Sequence, residues 1–208
     1  TVPPTEWTVW LDNLKREMIS KGISQKTIDK AYKNKNYYHP KPEVVQLDKK
    51  QTEFVLTTCA YVNRLVTKQR VNEAREHHKK LNKKYKKIEE KYNVPLSYLT
   101  AFWAIETNFG KNKGTYHLID SLTNLSYKNR RSQFFKNELY QVLKIMDKTH
   151  LSEEKMLGSW AGAMGHFQFM PSTYNSYAVD FDGDGVPDIW NSFDDSLASA
   201  ANYLSSLG

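Results

Sequence analysis

An acidic loop at residues 180–185 places the tightest local constraint on how this chain folds. The sequence there is DFDGDG, which puts carboxylates at relative positions 1, 3 and 5 and glycine at position 6. Such a turn points hard oxygen ligands at one cation and then bends away, as an EF-hand calcium loop does. The pattern fails at position 12, where Asn191 stands instead of a bidentate glutamate. The loop therefore predicts weak, structural calcium binding, and a solvated acidic turn is the alternative.

The relative positions within the loop also predict which residues hold the ion. Position 7 of an EF-hand loop contributes a backbone carbonyl, and position 9 contributes directly or through water. Asp188 occupies position 9 here. The predicted calcium ligands are Asp180, Asp182, Asp184, Val186 and Asn191.

Most of the chain shows the apolar spacing of amphipathic helices, three and four residues apart. A first helical face ends at Gly22, a residue suited to a left-handed cap, and Ser24 can cap a second helix through Tyr32. Pro95 can open a further helix, and a capping box at residues 192–195 opens the last one. Strand-like alternation is scarce, so the predicted fold class is mainly α.

A proline-containing connector, YYHPKP at residues 37–42, interrupts the helices near the amino terminus. Residues that precede proline are pushed out of the α region, so this segment is expected to be extended. It predicts a boundary between an amino-terminal helical cap, residues 1–36, and the main body, residues 37–208. The single cysteine, Cys59, lies in an apolar stretch and is expected to be a small buried side chain.

Glu106 is the candidate catalytic residue. Leu99 and Trp103 lie seven and three positions before it in a predicted helix, on or beside the same face. Apolar surroundings raise the pKa of a carboxyl group, and a general acid for glycosidic cleavage needs such a raised pKa near neutral pH. The alternative is a glutamate at a helix end that reaches solvent or a lysine such as Lys111. No local pattern marks the second carboxylate that a hydrolytic glycosidase normally needs.

Three separated motifs closely resemble the lytic murein transglycosylases of the membrane-bound B type. They are ETNFG at 106–110, GSWAGAMGHFQFMPS at 158–172 and DFDGDG at 180–185, and the resemblance runs from about Leu47 to Leu204. It implies a lysozyme-like helical fold with an EF-hand-like calcium loop, and no organic cofactor. It also implies that Glu106 acts first as acid and then as base.

The same resemblance implies non-hydrolytic cleavage of the β-1,4 bond between N-acetylmuramic acid and N-acetylglucosamine. The N-acetyl oxygen of the substrate would stabilise the sugar cation, and its C6 hydroxyl would close a 1,6-anhydro ring. A lysozyme-type glycoside hydrolase and a catalytically weak peptidoglycan-binding module stay open as alternatives.

The family motifs imply a set of substrate-binding residues: Tyr61, Arg130, Arg131, Ser159, Gln168 and Tyr203. The paired arginines suit stem-peptide carboxylates, because guanidinium forks match that geometry. The glycines at 158, 162 and 165 would let backbone approach the sugar or the catalytic helix. From the residues alone, a core position explains Tyr61 better than a sugar contact, and an exposed loop pair explains the arginines equally well.

Charge is concentrated in one segment. Between Arg64 and Lys91 there are eleven Lys and Arg against four Asp and Glu, a net charge of +7, which equals that of the whole chain. Apolar spacing from Val71 to Tyr92 predicts one long helix with a basic solvent side. Nucleic acid is not expected as a partner, because glycine loops, zinc ligands and a reading helix are missing. An anionic polymer such as peptidoglycan would be attracted by the positive field of this helix.

The resemblance also implies a location and a set of partners. Peptidoglycan glycan strands are the expected partner, the periplasm or cell envelope is the expected location, and a monomer is the expected state. Anchoring to the outer membrane would require a segment of the precursor that is absent from this chain. Chains of this family commonly continue past the helix that follows the acidic loop, so a substrate cleft incomplete on one side is expected here.

Overall fold

The computed structural model describes residues 5–33, 41–49 and 57–208, and helices dominate them. Two short strands are the exception, β1 (Tyr116–His117) and β2 (Leu157–Gly158). The helices of the described residues are α1 (Glu6–Ser20), α2 (Gln25–Tyr32), α3 (Pro42–Lys49), α4 (Thr58–Leu65), α5 (Lys68–Lys84), α6 (Lys86–Tyr92), α7 (Leu96–Thr107), α8 (Leu118–Leu125), α9 (Ser132–Thr149), α10 (Pro171–Tyr177) and α11 (Phe193–Leu207).

Two compact units divide these residues. The described parts of Thr1–Lys50, Gly114–Ala163 and Met170–Asn175 form the first unit, and those of Gln51–Lys113, Met164–Phe169 and Ser176–Gly208 form the second. The connector expected at 37–42 lies mostly outside the described residues. The division into a cap of residues 1–36 and a body of residues 37–208 therefore stays a prediction.

The first unit is built on the packing of α8 against α9. The apolar faces of both helices are buried, and Leu122, Phe135 and Leu139 are among their fully buried side chains. Asp147 of α9 accepts a hydrogen bond from the Ser24 hydroxyl at 2.8 Å, which fixes the start of α2. Ser24 is also the N-cap of α2, as its sequence position predicts.

A two-residue antiparallel ribbon, β1 with β2, completes the first unit. Tyr116 pairs with Gly158, and His117 pairs with Leu157. The ribbon needs a glycine just before β1, because a Cβ on Gly114 would stand 2.1 Å from the carbonyl oxygen of Gly158. This close approach places the backbone of Ser159 beside the start of β1.

The second unit is arranged around α7, which packs against α5 and α11. The prediction of one long basic helix from Val71 to Tyr92 is wrong in one respect, because the chain forms two helices, α5 and α6, that meet at Tyr85. Tyr85 leaves helical geometry with φ −114° and ψ 21°. Its ring is buried and its hydroxyl donates to Asp194 of α11 at 2.5 Å. Docking on α11 thus accounts for the break.

One further expectation concerns the cysteine of α4. Cys59 is exposed, so the expected burial of its side chain is wrong. None of the residues of α4 is buried, because this eight-residue helix covers no part of the described core. Among the described helices, none combines the length and the apolar character that crossing a membrane requires.

Candidate active site

Helix α7 carries Glu106 in its last turn. Pro95 is the N-cap, and the helix buries Leu99 and Trp103 on the side that faces the core of the second unit. Glu106 itself keeps an exposed surface, and its carboxylate has no hydrogen bond or ion pair to any described residue. Desolvation by the surrounding protein raises the pKa of this carboxyl above the ordinary value of 4.5. The alternative partner Lys111 pairs with Glu73 instead.

The chain turns sharply after α7. Asn108, Phe109 and Gly110 all have positive φ, at 50°, 61° and 79°. Three successive left-handed residues are unusual, and a neighbouring side chain stabilises them. The hydroxyl of Thr107 accepts from the Gly110 N–H at 2.9 Å and donates to the His166 carbonyl at 2.7 Å. The residue next to Glu106 is therefore fixed to the loop at residues 165–169.

The ring of His166 makes a second contact with the carboxyl-terminal part of α7. The indole Nε1–H of Trp103 donates to His166 Nδ1 at 3.2 Å, which requires a neutral ring with its proton on Nε2. Burial lowers the pKa of His166 to about 4, and nearby Lys113 adds to the effect. The sequence motifs did not identify this residue as functional. No spacing rule relates positions 103 and 166, so only the structure could show the contact.

Gln168, predicted to bind substrate, is held in a defined orientation. Its backbone is left-handed with φ 51°, between the bridge-paired residues Met164 and Phe169. Its side-chain N–H group donates to the carbonyls of Gly165 at 3.0 Å and of Lys113 at 3.3 Å. Both donors of the amide are thereby directed at protein, and the amide oxygen is left to accept from a ligand.

The two tyrosines of the predicted site occupy different surroundings in the second unit. Tyr203 of α11 makes ring contacts with Phe102, Phe169 and Tyr177, at centroid distances of 6.5, 5.6 and 5.3 Å. Phe102 stands one helical turn before Glu106 on α7, so these rings link Tyr203 to the helix that carries the carboxyl. Tyr61 lies on α4 with 39% of its surface exposed, so it is not a core tyrosine.

The first unit holds the three other predicted substrate residues. The hydroxyl of Ser159 accepts from the Ala163 N–H at 3.0 Å, which fixes the turn that follows β2. Arg130 is exposed and forms no ion pair with any described residue. Arg131 pairs with the buried carboxylate of Asp48, so its guanidinium already has an internal partner.

The glycines at 158, 162 and 165 let the backbone approach other parts of the protein closely. A Cβ on Gly158 would stand 2.2 Å from the Ala163 carbonyl oxygen, and one on Gly162 would stand 2.8 Å from the Leu122 side chain. A Cβ on Gly165 would stand 2.4 Å from the Ile189 carbonyl oxygen. These glycines permit close approach within the protein, and their expected approach to sugar or to the catalytic helix stays a prediction.

The acidic loop forms a tight turn around the side chain of Asp180. Asp180 accepts backbone N–H bonds from Gly183 at 2.7 Å and from Gly185 at 2.8 Å. One carboxylate oxygen from each of Asp180, Asp182 and Asp184 lies within 4.8 Å of the others. Oxygen ligands on opposite sides of a calcium ion lie up to about 5 Å apart, so this spacing fits the ion.

Supporting contacts hold the rest of the loop. The N–H of Val186 donates to Asp184 at 2.9 Å, and the amide of Asn191 donates to Asp188 at 3.0 Å. Fully buried Asp195 of α11 accepts from the backbone N–H groups of Phe181 at 2.7 Å and Asp188 at 2.9 Å. Burial raises the pKa of Asp195, and these hydrogen bonds oppose the rise.

Comparisons with known proteins match this chain to one family. The family model of the transglycosylase SLT domain matches residues 6–208. Membrane-bound lytic murein transglycosylase B of Escherichia coli (strain K12) is 38% identical over 118 residues, which are 56% of this chain and 32% of that protein.

Solved structures extend the likeness over nearly the whole chain. SltB3 from Pseudomonas aeruginosa in complex with NAG-anhNAM-pentapeptide is 37% identical, with a TM-score of 0.88, over 97% of this chain and 53% of that one. Escherichia coli Slt35 in complex with calcium is 27% identical, with a TM-score of 0.79, over 95% of this chain and 62% of that one. The chain thus spans about a third to three fifths of these relatives. The predicted mainly α, lysozyme-like fold is confirmed, and the chain belongs to the transglycosylase SLT domain family.

Proposed function

We propose that this chain is a peptidoglycan lytic transglycosylase that cleaves between N-acetylmuramic acid and N-acetylglucosamine and leaves 1,6-anhydromuramic ends. The observation that carries the proposal is the Glu106 carboxyl, unpaired among described residues and raised in pKa by desolvation. The comparisons support it, because SltB3 was solved with both NAG-NAM-pentapeptide and NAG-anhNAM-pentapeptide.

One carboxyl serves both halves of the proposed reaction. Protonated Glu106 gives its proton to the glycosidic oxygen as the bond to C1 breaks, and the N-acetyl oxygen of the substrate stabilises the developing cation. The Glu106 carboxylate then takes the proton of the C6 hydroxyl as O6 bonds to C1. Glu106 thus regains the proton that it donated, and water is not a reactant.

The other site residues bind and orient in this proposal. Gln168 offers its amide oxygen to the N-acetylated sugar, and contacts with glycan are assigned to Ser159, Tyr61 and Tyr203. Arg130 is the arginine available to a stem-peptide carboxylate. For Arg131, substrate binding would compete with the ion pair to Asp48.

A hydrolytic mechanism would need a second carboxylate, for which Asp120, Asp147 and the aspartates of the acidic loop are available, although no local pattern marks any of them as the partner of Glu106. Asp120 pairs with Lys41 at 2.8 Å. Asp147 accepts hydrogen bonds from Ser24 and Thr27. Both carboxylates thus already have protein partners.

Product masses test the proposed reaction. Digestion of purified murein should release muropeptides one water, about 18 mass units, lighter than the reducing-end products of a hydrolytic glycosidase. Reducing-end fragments as the main product would favour a lysozyme-type hydrolase. Binding to murein without release of fragments would favour a binding module.

We also propose that the acidic loop holds a structural calcium ion, with Asp180, Asp182, Asp184, the Val186 carbonyl and Asn191 as ligands. The proposal rests on the convergence of three carboxylates, and Slt35 was solved in complex with calcium. When bound, the ion would neutralise these carboxylates and tie the loop to α11; it would take no part in proton transfer.

Calcium is expected to raise the melting temperature of protein first stripped with chelator. With a Kd of roughly 10⁻⁴–10⁻³ M, a tenfold excess of calcium over the Kd should raise it by about 3–6 °C. Asp184→Ala should abolish the rise, whereas Asp12→Ala, which removes an exposed carboxylate from α1, should keep it. An unchanged melting curve at millimolar calcium would remove the loop from the metal sites.

The proposed location is the periplasm or cell envelope, and the proposed state is a monomer bound to peptidoglycan strands. The names of the relatives include both a membrane-bound transglycosylase and a soluble one, SltB1.

A further inference from the structure

We infer that the outer face of α5 and α6 is a second binding surface, separate from the site around Glu106, which holds the protein on the stem-peptide carboxylates of intact murein. The inference rests on the proposed function, because it takes the same polymer as partner. Its central feature is a group of three lysines, here named the basic stripe: Lys80, Lys83 and Lys87.

The charge of the molecule is highly uneven. Seven lysines stand against two glutamates between residues 79 and 91, and positive and negative charges balance outside residues 64–91. A field concentrated on one helix pair attracts polyanions and raises their association rate, an effect that salt screens.

The ion pairs of this segment are formed by lysines other than those of the basic stripe, although Lys80 lies close enough to Glu76 to help lower the pKa of that carboxyl. Lys79 pairs with Glu76 at 2.8 Å, and Lys86 pairs with Glu89 at 3.2 Å. Lys84 pairs with Asp194 at 3.1 Å. The three lysines of the basic stripe are exposed and form no ion pair with any acidic residue in the described part of the chain.

The buried face of the two helices determines where the stripe points. Leu81, Tyr85 and Ile88 are buried at spacings of four and three, so one face stays turned inward across the break at Tyr85. At about 100° per residue, Lys80 and Lys83 lie about 60° apart on α5, and Lys87 is exposed at the start of α6 after the break. His77 on the inward face stacks on Phe109, just after α7, at 4.5 Å. Lys83 lies about 120° around α5 from His77 and therefore points away from this contact, whereas Lys80 flanks it.

The composition of this face favours a carboxylate-bearing polymer over a membrane or nucleic acid. None of the large apolar side chains exposed in the described residues lies between 68 and 92. Membrane-surface helices insert an apolar face, and single-stranded nucleic acids stack on aromatic rings. Lysine ammonium groups act as point charges. The repeated stem peptides of murein present carboxylates to which such charges can bind.

Binding to purified murein sacculi tests the inference. The measurement uses Glu106→Gln protein, so that the sacculi stay intact, and compares Lys80→Gln/Lys83→Gln/Lys87→Gln with the matched control Lys21→Gln/Lys26→Gln/Lys30→Gln on α1 and α2. An exposed ion pair typically contributes about a twofold factor, so the stripe variant should bind about eightfold more weakly at low salt. The difference should vanish near 1 M salt, and the control should bind like the parent.

Sacculi whose carboxylates have been amidated provide the matched ligand. Parent protein should lose the same roughly eightfold affinity on amidated sacculi, and the stripe variant should lose little more. Equal binding of parent and stripe variant, or equal binding of parent to native and amidated sacculi, would overturn the inference. A larger loss on anionic phospholipid vesicles or on DNA than on sacculi would overturn it as well.

Turnover of soluble tetrasaccharide-peptide fragments, which contain one bond from N-acetylmuramic acid to N-acetylglucosamine, separates this inference from the proposed function. With Glu106 intact, the stripe variant should cleave these fragments at the parental rate. A parent protein that cleaves no fragment would sink the proposed function, and the sacculus comparison would still decide the inference.

Discussion

Glu106→Gln is expected to remove turnover while leaving folding and murein binding intact. The amide keeps the volume of the side chain and loses only the transferable proton. General acid–base catalysis contributes about 10²–10⁴-fold, and because one group serves both steps here the loss should reach or exceed the upper end of that range. The measurement is release of muropeptides from purified murein. Substantial residual release by the purified variant would place the acid elsewhere.

The pH dependence of stability gives that variant an internal control. Folding raises the pKa of Glu106 above 4.5, so ionising the carboxyl disfavours the folded state above that pH, and this penalty fades as pH falls and the group is protonated. At neutral pH the Gln variant should therefore melt no lower than the parent, and any gain should disappear toward acid pH. Glu90→Gln, on the exposed face of α6, should leave both activity and melting unchanged. A Gln variant that melts well below its parent would mean that Glu106 is structural.

Gly165→Ala is expected to destabilise the folded protein strongly. The residue has φ +70°, and an added Cβ would stand 2.4 Å from the backbone carbonyl of Ile189, which cannot rotate away. Left-handed strain and overpacking together should cost about 2–4 kcal/mol. Gly22→Ala is the matched control, because Gly22 has φ +84° with nothing within 4 Å and should cost only about 1 kcal/mol. Urea unfolding of the three proteins measures both changes, and equal losses would contradict the packing of Gly165 on Ile189.

Local patterns in the sequence predicted most of the helices and the form of the acidic loop. The cap at Ser24 and the carboxylate turn from Asp180 to Asp184 depend on residues within a few positions of one another, so spacing alone identifies them. The break at Tyr85 depends on a hydrogen bond to Asp194, 109 positions away. Apolar periodicity continues through that break, so it could not reveal it. Cys59 was misplaced because an apolar stretch does not say whether a core lies beside it.

The candidate site also contains residues that local sequence predicts and contacts that only the structure shows. Glu106 and Gln168 follow from motifs, and the environment that raises the pKa of Glu106 follows in part from Leu99 and Trp103 in the same helix. The ring of His166, which accepts from Trp103, is brought there by tertiary folding over 63 positions. The same holds for Arg131, whose ion pair with Asp48 spans 83 positions. Contacts of this kind have no sequence spacing, and they decide which side chains are available to substrate.

The fate of oxygen from water tests the proposed chemistry most directly. Purified murein is digested in ¹⁸O-water, and the new glycan ends are examined by mass spectrometry. If the C6 hydroxyl of the muramic residue is the nucleophile and Glu106 is the only proton carrier, every new end is a 1,6-anhydro ring without heavy oxygen. Reducing ends that carry ¹⁸O as the main product would contradict the transglycosylase mechanism and establish hydrolysis in its place.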